Sequence, residues 1–395
     1  MQETQEHIEL RRTVANIVAN DINPYVDDWE EAEIMPLHDL CKTMGKAGLL
    51  GISKPAEYGG MALDYSYEVA FAEEMGHAKA QGVSTAIGVQ SNMCTPALAR
   101  HGSDELRQEF LAPAIAGESL GCIGVTEKGS GSDVSSVRSF ARKDGDDYVI
   151  SGNKMFITNS IQADWMCMLC NTGEENGPHR NKTLIIVPMD SKGISKQKLK
   201  KLGLHCSDTG HIHFDEVRVP QRNRIGEENM GFMYQMEQFQ EERLYSVSRT
   251  ITFLEDALQE TIDYTRQRQA FGRPILDNQV MHYKMAEIQA QLEGVRALLY
   301  RATDLYVDGG NVTKLASMAK YLIGVLATDV PAQLLQFWGG QGFMAENRIS
   351  RVYRDMKLVS SGAGANEVML QIIAKEIGIP PRRSAGYRGL ASHGC

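Results

Sequence analysis

The sequence predicts an α+β protein of several domains, because three stretches with different patterns follow one another along its 395 residues. Apolar residues recur at helical spacing from residue 4 to about 118, and again in longer segments from Gly231 to about Ile377. Between them, residues 121 to about 225 carry short β-favouring runs separated by Gly, Asn, Asp and Pro. The predicted units are an N-terminal helical domain (1–120), a middle β-barrel or β-sandwich domain (121–228), a C-terminal four-helix bundle (229–379) and a tail (380–395).

The individual elements follow from local patterns. In the first domain, "LHDLCKTMGKAGLL" and "EVAFAEEMGHA" have helical apolar spacing, and "SKPAEYGGMAL" separates them. In the middle domain, "DDYVISG", "KMFITNS", "WMCMLC", "TLIIVPM" and "HIHFDEVRV" are typical of strands. In the third, an apolar stripe from Met236 to Ile262 predicts one long helix that needs partners in a bundle. Pro380 and Pro381 predict the end of the last helix.

The charge and cysteine content limit the class of protein. With 41 basic and 50 acidic residues the net charge is -9, which disfavours a nucleic-acid or membrane partner and requires a local cationic pocket for any anionic ligand. The seven cysteines are odd in number and scattered, so we expect free thiols in a reducing compartment. No stretch reaches the roughly 18 apolar residues of a membrane-spanning helix. Because the N-terminus lacks the features of a signal peptide or a presequence, we expect the bacterial cytoplasm, or the mitochondrial matrix for a processed eukaryotic chain.

Several motifs could bind ligands, but each also has an ordinary structural interpretation. The run "CIGVTEKGSGSDVSS" (122–136) offers backbone amides and hydroxyls, although such a run is more often a turn. "RQRQAFGRPI" (266–275) places three arginines together, which suits either a phosphate or a solvated surface. The single CxxC at 167–170 and the His-Ile-His at 211–213 have no further ligand at a recognisable spacing. No metal site is therefore predicted.

Two features of the third domain have chemical interest. Glu241 and Glu242 lie in the middle of the long predicted helix. Glu242 borders an aromatic stripe, since Phe239 precedes it and Tyr245 follows it by three residues. Most such glutamates are solvated, but one that faces an apolar cleft would have its pKa raised into the range of a general base. The second feature is residues 362–365, all glycine or alanine, directly before the last predicted helix. We call this segment the glycine–alanine loop.

The domain order and five motifs together resemble the acyl-CoA dehydrogenase family from about residue 4 to residue 379. "VTEKGSGSDVSSV" resembles the family's flavin and acyl-CoA loop, "GNKMFITN" its second flavin segment, and "KLGLHCSDTGHIHFDEVRVP" the end of its β domain. "RQAFGRPILDNQ" and "QFWGGQGFMAEN" are similar to the two segments that hold the adenosine diphosphate of FAD across a subunit boundary. The resemblance implies the acyl-CoA dehydrogenase fold, FAD as cofactor, an acyl-CoA substrate and a homotetramer built as a dimer of dimers.

The resemblance also implies roles for individual residues. Those expected to meet the flavin and its ribityl chain are Val125, Thr126, Phe156 and Thr158. Ser132 is expected near the flavin and the CoA pantetheine, and Arg243 near the CoA and the catalytic base. Those expected to hold the dinucleotide half of FAD are Arg268, Phe271, Gln279, Gln336, Gly339 and Gly340.

The family's reaction needs one carboxylate base and a flavin. The base removes the α proton of an acyl-CoA thioester while a hydride leaves the β carbon for the flavin, which gives a trans-2-enoyl-CoA. Most members carry this glutamate in a Tyr-Glu-Gly-Thr sequence before the last helix, where this chain has the glycine–alanine loop. A minority, including isovaleryl-CoA and long-chain acyl-CoA dehydrogenases, take it from a Glu-Arg-Leu sequence in the long helix. This chain has that sequence at Glu242, which is therefore the expected base.

The small residues of the loop imply a substrate. Gly362, Ala363 and Gly364 would leave room for a methyl branch at C3 of the acyl group. The expected substrate is therefore a 3-methyl-branched acyl-CoA such as citronellyl-CoA or isovaleryl-CoA, and the chain resembles the isovaleryl-CoA and citronellyl-CoA dehydrogenase branch. "SNMCTPALARHGS" (91–103) resembles the same branch. Glu367, the other carboxylate near the loop, lies at a helix N-terminus, where it complements the helix dipole.

Some residues depart from the family pattern, and other functions remain open. Phe156 stands in place of a tryptophan beside the flavin, Ala365 in place of a threonine, and His205 in place of an arginine. These changes concern flavin packing. The alternatives are a straight medium-chain or long-chain acyl-CoA dehydrogenase, an oxygen-using acyl-CoA oxidase, and a non-catalytic flavin or acyl-CoA binding protein. The expected electron acceptor is an electron-transferring flavoprotein.

Overall fold

The structure is a computed structural model that describes residues 1, 3–173 and 177–379. Helices extend to Ala116, strands run from Gly121 to Ile225, and helices return from Gly231 with one short hairpin among them. This order confirms the predicted fold class, whereas the domain boundaries stay predictions. The expected helix stop at Pro380 and Pro381, the tail 380–395 and Cys395 lie outside the described residues.

Eight α-helices form the N-terminal part. They are α1 (Gln5–Ile17), α2 (Val26–Glu31), α3 (Leu37–Lys46), α4 (Tyr65–Met75), α5 (Gln81–Gly88), α6 (Pro96–His101), α7 (Asp104–Leu106) and α8 (Ala112–Ala116). Asp64 begins α4 by accepting a hydrogen bond from the Ser66 amide at 2.8 Å. All eight residues of α5 are buried, and none is charged. Gly88 ends α5 and makes room for the ring of Tyr245, because a Cβ atom at Gly88 would lie 2.2 Å from Cε1 of that ring.

The middle part is one mixed sheet of eight strands. They are β1 (Gly121–Gly124), β2 (Phe140–Asp144), β3 (Asp147–Thr158), β4 (Trp165–Asn171), β5 (Lys182–Pro188), β6 (Ile194–Lys198), β7 (Thr209–Pro220) and β8 (Arg224–Ile225). The order is β6-β7-β3-β2-β4-β5-β8, and β1 lies parallel to β4 with Gly121 opposite Trp165. The pairing of β3 with β7 shifts register between Lys154 and Ile157. This bulge turns Phe156 outward, with a φ of 63° and two thirds of its side chain exposed.

Five helices and a hairpin form the C-terminal part. They are α9 (Gly231–Gln267), β9 (Gln269–Ala270), β10 (Arg273–Pro274), α10 (Gln279–Val307), α11 (Thr313–Phe337), α12 (Arg348–Met356) and α13 (Asn366–Glu376). The apolar stripe of α9 packs on α10 and α11 in one cluster that includes Leu254, Leu292 and Ile323. None of the helices in the described ranges is long and apolar enough to cross a membrane.

Candidate active site

Glu242 lies where α9 meets both the sheet and the glycine–alanine loop. One turn earlier, Phe239 packs on the apolar cluster that contains Val125. The next residue, Arg243, reaches the loop, since its Nε lies 4.0 Å from the position that a Cβ atom on Gly364 would occupy. The helical turn that carries Glu242 is thereby fixed between the first strand segment and the loop.

The backbone of the glycine–alanine loop suits small residues. Ala363 and Gly364 have positive φ angles of 53° and 99°, in the left-handed region that glycine adopts most readily. A Cβ atom on Gly364 would also lie 2.5 Å from Cε of Met369. Ala365 begins α13 without a side-chain cap. Since no residue of the loop has atoms beyond Cβ, the loop presents a wall without long side chains.

The charge of Glu242 is set by burial and by three cations. Burial raises the pKa of its carboxyl to about 7, and the positive charges of Arg243, Lys320 and Arg249 oppose that rise. No hydrogen bond contributes to the shift within the described residues. A carboxyl group with a pKa near 7 is partly ionised at neutral pH and is a stronger base than an ordinary carboxylate. A general base needs both properties.

The neighbouring Glu241 has the opposite environment. Its carboxylate forms an ion pair with Arg100 and accepts a hydrogen bond from the Tyr306 hydroxyl at 2.7 Å. The Tyr65 hydroxyl donates to the Glu241 carbonyl at 2.8 Å. Because successive helical residues point about 100° apart, Glu241 is held in a polar network while the Glu242 side chain points in a different direction.

The residues predicted to meet the flavin lie on one rim of the sheet. Val125 and Thr126 follow β1, and the carbonyl of Thr126 accepts a hydrogen bond from the Met155 amide at 2.8 Å. This contact joins the segment to the bulge that carries Phe156 and to Thr158 at the end of β3. Ser132 is exposed in the loop that follows Thr126. The structure therefore brings the two predicted flavin segments together.

A buried lysine holds the first of these segments in place. The ammonium of Lys154 donates to the carbonyls of Val125 at 3.0 Å and Leu169 at 2.8 Å, and to Glu127 at 2.9 Å. Burial alone would raise the pKa of Glu127, but Lys154 lowers it overall. Since all three ammonium donors are used, Lys154 fixes the backbone from which Val125 and Thr126 project.

A second region lies at the far end of α9. A cavity of about 360 Å³ is lined by Arg268, Gln336, Gly339 and Gly340, which are four of the six residues predicted to hold the dinucleotide. The other two lie on neighbouring segments and do not line it. Phe271 is fully exposed at the tip of the β9–β10 hairpin, and Gln279 begins α10.

The chemistry of this cavity fits a dinucleotide. The Arg268 side chain has no ion pair or hydrogen bond to the described part of the chain, so its guanidinium is available for a phosphate. A Cβ atom on Gly339 or Gly340 would meet nothing within 4 Å, and the backbone there is open to a ligand. Tyr264 and Trp338 stack at 4.0 Å beside it.

Sequence patterns did not identify all the residues that shape the site. Lys320 and Arg249 were missed, although both are buried and both act on the charge of Glu242. A signal existed for Lys320, because it falls on the apolar stripe of α11 between Ala316 and Ile323. A lysine at such a position needs a buried partner.

The cysteine motif has no partner for a metal. Cys167 and Cys170 are buried on β4, and burial raises the pKa of each thiol to about 12. Within the ranges that the structure covers, no three His, Cys, Asp or Glu side chains form a group that could hold a metal ion. Six cysteines there are free.

Three family models match this chain in succession. They are the acyl-CoA dehydrogenase N-terminal domain over residues 4–118, the middle domain over 122–217 and the C-terminal domain over 229–378. Together they span most of the sequence.

Individual relatives agree with these matches. The mitochondrial long-chain specific acyl-CoA dehydrogenase of Sus scrofa is 34% identical over 95% of this chain and 87% of its own length. The mitochondrial isovaleryl-CoA dehydrogenase of Oryza sativa subsp. japonica is also 34% identical, over 95% of this chain and 91% of its own length. A solved glutaryl-CoA dehydrogenase of Mycobacterium smegmatis in complex with FADH2 is 26% identical, with a TM-score of 0.89 over 95% of each chain.

Proposed function

The chain belongs to the acyl-CoA dehydrogenase family, and we propose that its substrate is a 3-methyl-branched acyl-CoA such as citronellyl-CoA or isovaleryl-CoA. The protein is an enzyme that acts on CH–CH donors, and its cofactor is FAD. The proposed product is the trans-2-enoyl-CoA, formed by loss of one hydrogen from each of the α and β carbons.

The observation that carries the proposal is the buried carboxyl of Glu242, next in sequence to Arg243, whose side chain reaches the glycine–alanine loop. Glu242 has no ion pair within 4 Å in the described ranges, and burial raises its pKa to about 7. Of the two other carboxylates considered, Glu241 is paired with Arg100 and Glu367 is exposed on α13. Glu242 is therefore the proposed base that removes the α proton.

The remaining residues of the site position the reactants. Val125, Thr126, Phe156 and Thr158 would hold the flavin end of FAD, and Arg268, Gln336, Gly339 and Gly340 the dinucleotide end. FAD, when bound, accepts the hydride that leaves the β carbon. Ser132 and Arg243 are proposed to contact the CoA portion, and Arg243 also lies beside the loop. The bulge at Phe156 and the bonds of Lys154 keep this framework rigid before the substrate arrives.

The preference for a branched chain rests on the loop. We propose that Gly362, Ala363 and Gly364 form the wall of the acyl pocket opposite Glu242, because a methyl group on C3 needs space that a tyrosine and glutamate at these positions would occupy. We further propose a homotetramer with FAD sites at subunit boundaries, and transfer of electrons to an electron-transferring flavoprotein. The exposed Phe271 next to the dinucleotide cavity supports the first of these two proposals.

The test is anaerobic bleaching of the bound flavin by isovaleryl-CoA, citronellyl-CoA and octanoyl-CoA. Wild type, Glu242→Gln and Glu367→Gln are compared, with Glu367→Gln as the control because Glu367 is the exposed carboxylate that follows the glycine–alanine loop. Fast bleaching by a 3-methyl substrate, lost in Glu242→Gln and kept in Glu367→Gln, is the expected result.

Other outcomes separate the alternatives. Faster bleaching by octanoyl-CoA would reject the branched preference, and wild-type rates in Glu242→Gln would reject the base. Rapid oxygen consumption during turnover would indicate an oxidase. A flavin that no acyl-CoA bleaches would indicate a binding protein without catalytic activity.

A further inference from the structure

Lys320 lies beneath the glycine–alanine loop with its ammonium fully buried. It belongs to α11 and has no exposed surface. Its Nζ donates to the carbonyl of Val359 at 2.7 Å and to the carbonyl of Gly364 at 3.1 Å. An ammonium has three donors, and two of them are used by backbone carbonyls, one three residues before the loop and one within it.

These two contacts bracket the unusual backbone of the loop. Val359 lies in the short 3-10 helix Lys357–Ser360, whose terminal carbonyls carry partial negative charge. Gly364 follows Ala363, and both have positive φ. A buried cation that joins these two carbonyls holds the loop in a conformation that an alanine otherwise adopts rarely.

The charge of Lys320 also acts on Glu242. Three charged groups influence that carboxylate: Arg243 beside it, Arg249 two turns further along α9, and Lys320 from α11. Lys320 is in turn influenced by Glu242, Arg243 and Arg249. Lys320 is thus the cation in this group that comes from another helix and also binds the loop.

We propose that Lys320 is a positioning residue of the active site: it fixes the glycine–alanine loop through two backbone carbonyls, and its positive charge adds to that of Arg243 in favouring the ionised form of Glu242. The inference rests on the proposed role of Glu242 as the base. Both functions come from the ammonium group, because it donates to the loop carbonyl of Gly364 and its charge acts on Glu242.

The protonation of the two groups agrees with this arrangement. Burial lowers the pKa of Lys320 to about 8, while the attraction of Glu242 opposes the change. Lys320 therefore carries its charge over the range in which Glu242 titrates, about pH 7. A neutral residue at position 320 would leave the burial of Glu242 less compensated, and the carboxyl would hold its proton to higher pH.

Three substitutions separate the two functions of Lys320. Lys320→Gln keeps a hydrogen-bond donor for the loop and removes the charge. Lys320→Arg keeps the charge, and Lys320→Met removes both. The measurement is the rate of flavin reduction in a single turnover from about pH 5.5 to about pH 9, with excess isovaleryl-CoA and the holoenzyme.

We expect the acid limb of the profile to move upward by about one pH unit in Lys320→Gln and Lys320→Met, which is about tenfold in rate near pH 6. Lys320→Arg should leave the midpoint in place. A uniform loss of rate with an unchanged midpoint in Lys320→Gln would overturn the proposal and leave only a structural role for the lysine.

A second measurement does not depend on turnover. The difference in unfolding free energy between wild type and Glu242→Gln changes with pH as Glu242 titrates. The pH at which this change ends reports the pKa of Glu242 in the folded protein. In the Lys320→Gln background this pH should also rise, and an unchanged pH would contradict the inference. If Glu242→Gln reduces flavin at the wild-type rate, Glu242 is not the base and the proposed function fails. This result differs from an unchanged pH midpoint in Lys320→Gln, which contradicts only the role of Lys320.

Discussion

At the scale of residues, the site depends on two adjacent glutamates with different partners. Glu241 is neutralised by Arg100 and by the Tyr306 hydroxyl, so it completes a polar network on one side of α9. Glu242 has no such partner among the residues that the structure describes, and burial raises its pKa to about 7. Their chemistry differs because of the direction of each side chain, since the residue type is the same.

The first prediction concerns the stability of Glu242→Gln against pH. A carboxyl group whose folded pKa is raised stabilises the fold below its unfolded pKa of 4.5, and that contribution is lost as the pH rises through about 7. Glu242→Gln should match wild type near pH 4, below the unfolded pKa, and be more stable by about 3 kcal/mol near pH 8, because each pKa unit corresponds to about 1.4 kcal/mol. Denaturant unfolding of the holoprotein at fixed protein concentration at both pH values measures this.

Glu241→Gln is the matched control. It leaves the Arg100 guanidinium with only its longer ion pair to Glu237 at 3.7 Å, so it should destabilise the protein by about 1 to 3 kcal/mol at both pH values. If the difference in unfolding free energy between Glu242→Gln and wild type were the same at both pH values, the carboxyl of Glu242 would have an ordinary pKa.

The second prediction concerns Arg249, another buried cation of α9. Its one hydrogen bond within the described residues joins Nη1 to Ser84 Oγ at 3.5 Å, Nε has no partner, and burial lowers its pKa to about 10. Arg249→Met removes this poorly compensated charge and fills similar volume, so it should raise stability by about 1 kcal/mol. Thermal unfolding at constant pH measures it.

Arg351→Met provides the comparison. Arg351 is equally buried but forms an ion pair with Asp27 at 2.6 Å, and its loss should lower the melting temperature. Equal destabilisation by both substitutions would mean that Arg249 has a partner that compensates its charge.

At the scale of elements, periodicity predicted the helices and strands more completely than the turns between them. The stripe from Met236 to Ile262 predicted a long helix, and α9 spans Gly231–Gln267. The hairpin of β9 and β10 was not predicted, since "RQRQAFG" has no strand pattern. Its turn depends on the positive φ of Phe271 and Gly272, which the flanking sequence does not reveal.

The contacts of Lys320 show why part of the site could not be predicted. Its carbonyl partners lie 39 and 44 residues further along the chain, on a 3-10 helix and a loop. Backbone carbonyls have no sequence signature, so the pairing depends on how α11 packs against those segments. Glu242 could be proposed as the base from the sequence, because the Glu-Arg-Leu motif that suggests it is local.

The third prediction concerns the close packing of α11 on α13. A Cβ atom on Gly324 would lie 2.1 Å from Oδ1 of Asn366, the first residue of α13. Gly324→Ala should therefore push α13 and the glycine–alanine loop away from α11, at a cost of about 1 to 3 kcal/mol. Denaturant unfolding measures the loss, and single-turnover flavin reduction should slow in parallel.

The double variant Gly324→Ala/Asn366→Ala is the control, because truncation of Asn366 removes the atom that clashes. It should recover most of the stability, and a double-mutant cycle gives the coupling energy. If the losses of unfolding free energy in the two single variants simply added in the double variant, the methyl group added at position 324 would not be in conflict with the Asn366 side chain.

At the scale of the whole molecule, the proposed site has two separate halves. The base and the flavin rim meet where α9 passes the sheet, and the dinucleotide cavity lies at the end of α9. The family resemblance predicted residues of both halves, because its motifs are contiguous in sequence. It did not predict the ion pair of Arg100 with Glu241 or the bonds of Lys154, which join distant segments.

The fourth prediction concerns assembly. Phe271 and Phe343 are among the most exposed large apolar side chains of the described residues, and Val280 and Tyr283, which follow Phe271 in sequence, are exposed on α10. An exposed group of this kind indicates a protein interface. Phe271→Asp would place a charge in the proposed contact between subunits, so the tetramer should dissociate and the flavin content per protein should fall. Light scattering after size exclusion, together with flavin absorbance, measures both.

Leu202→Asp tests whether any exposed apolar residue would behave in the same way, because Leu202 is 63% exposed but lies in the loop before β7. It should keep both the assembly and the flavin.

Phe271 lies between Arg268, which lines the dinucleotide cavity, and Gln279, so a partner that covers the hairpin would also close that cavity. Loss of flavin should therefore accompany dissociation. A Phe271→Asp protein that stays tetrameric with full flavin would place the hairpin in solvent and reject a cofactor site at the subunit boundary.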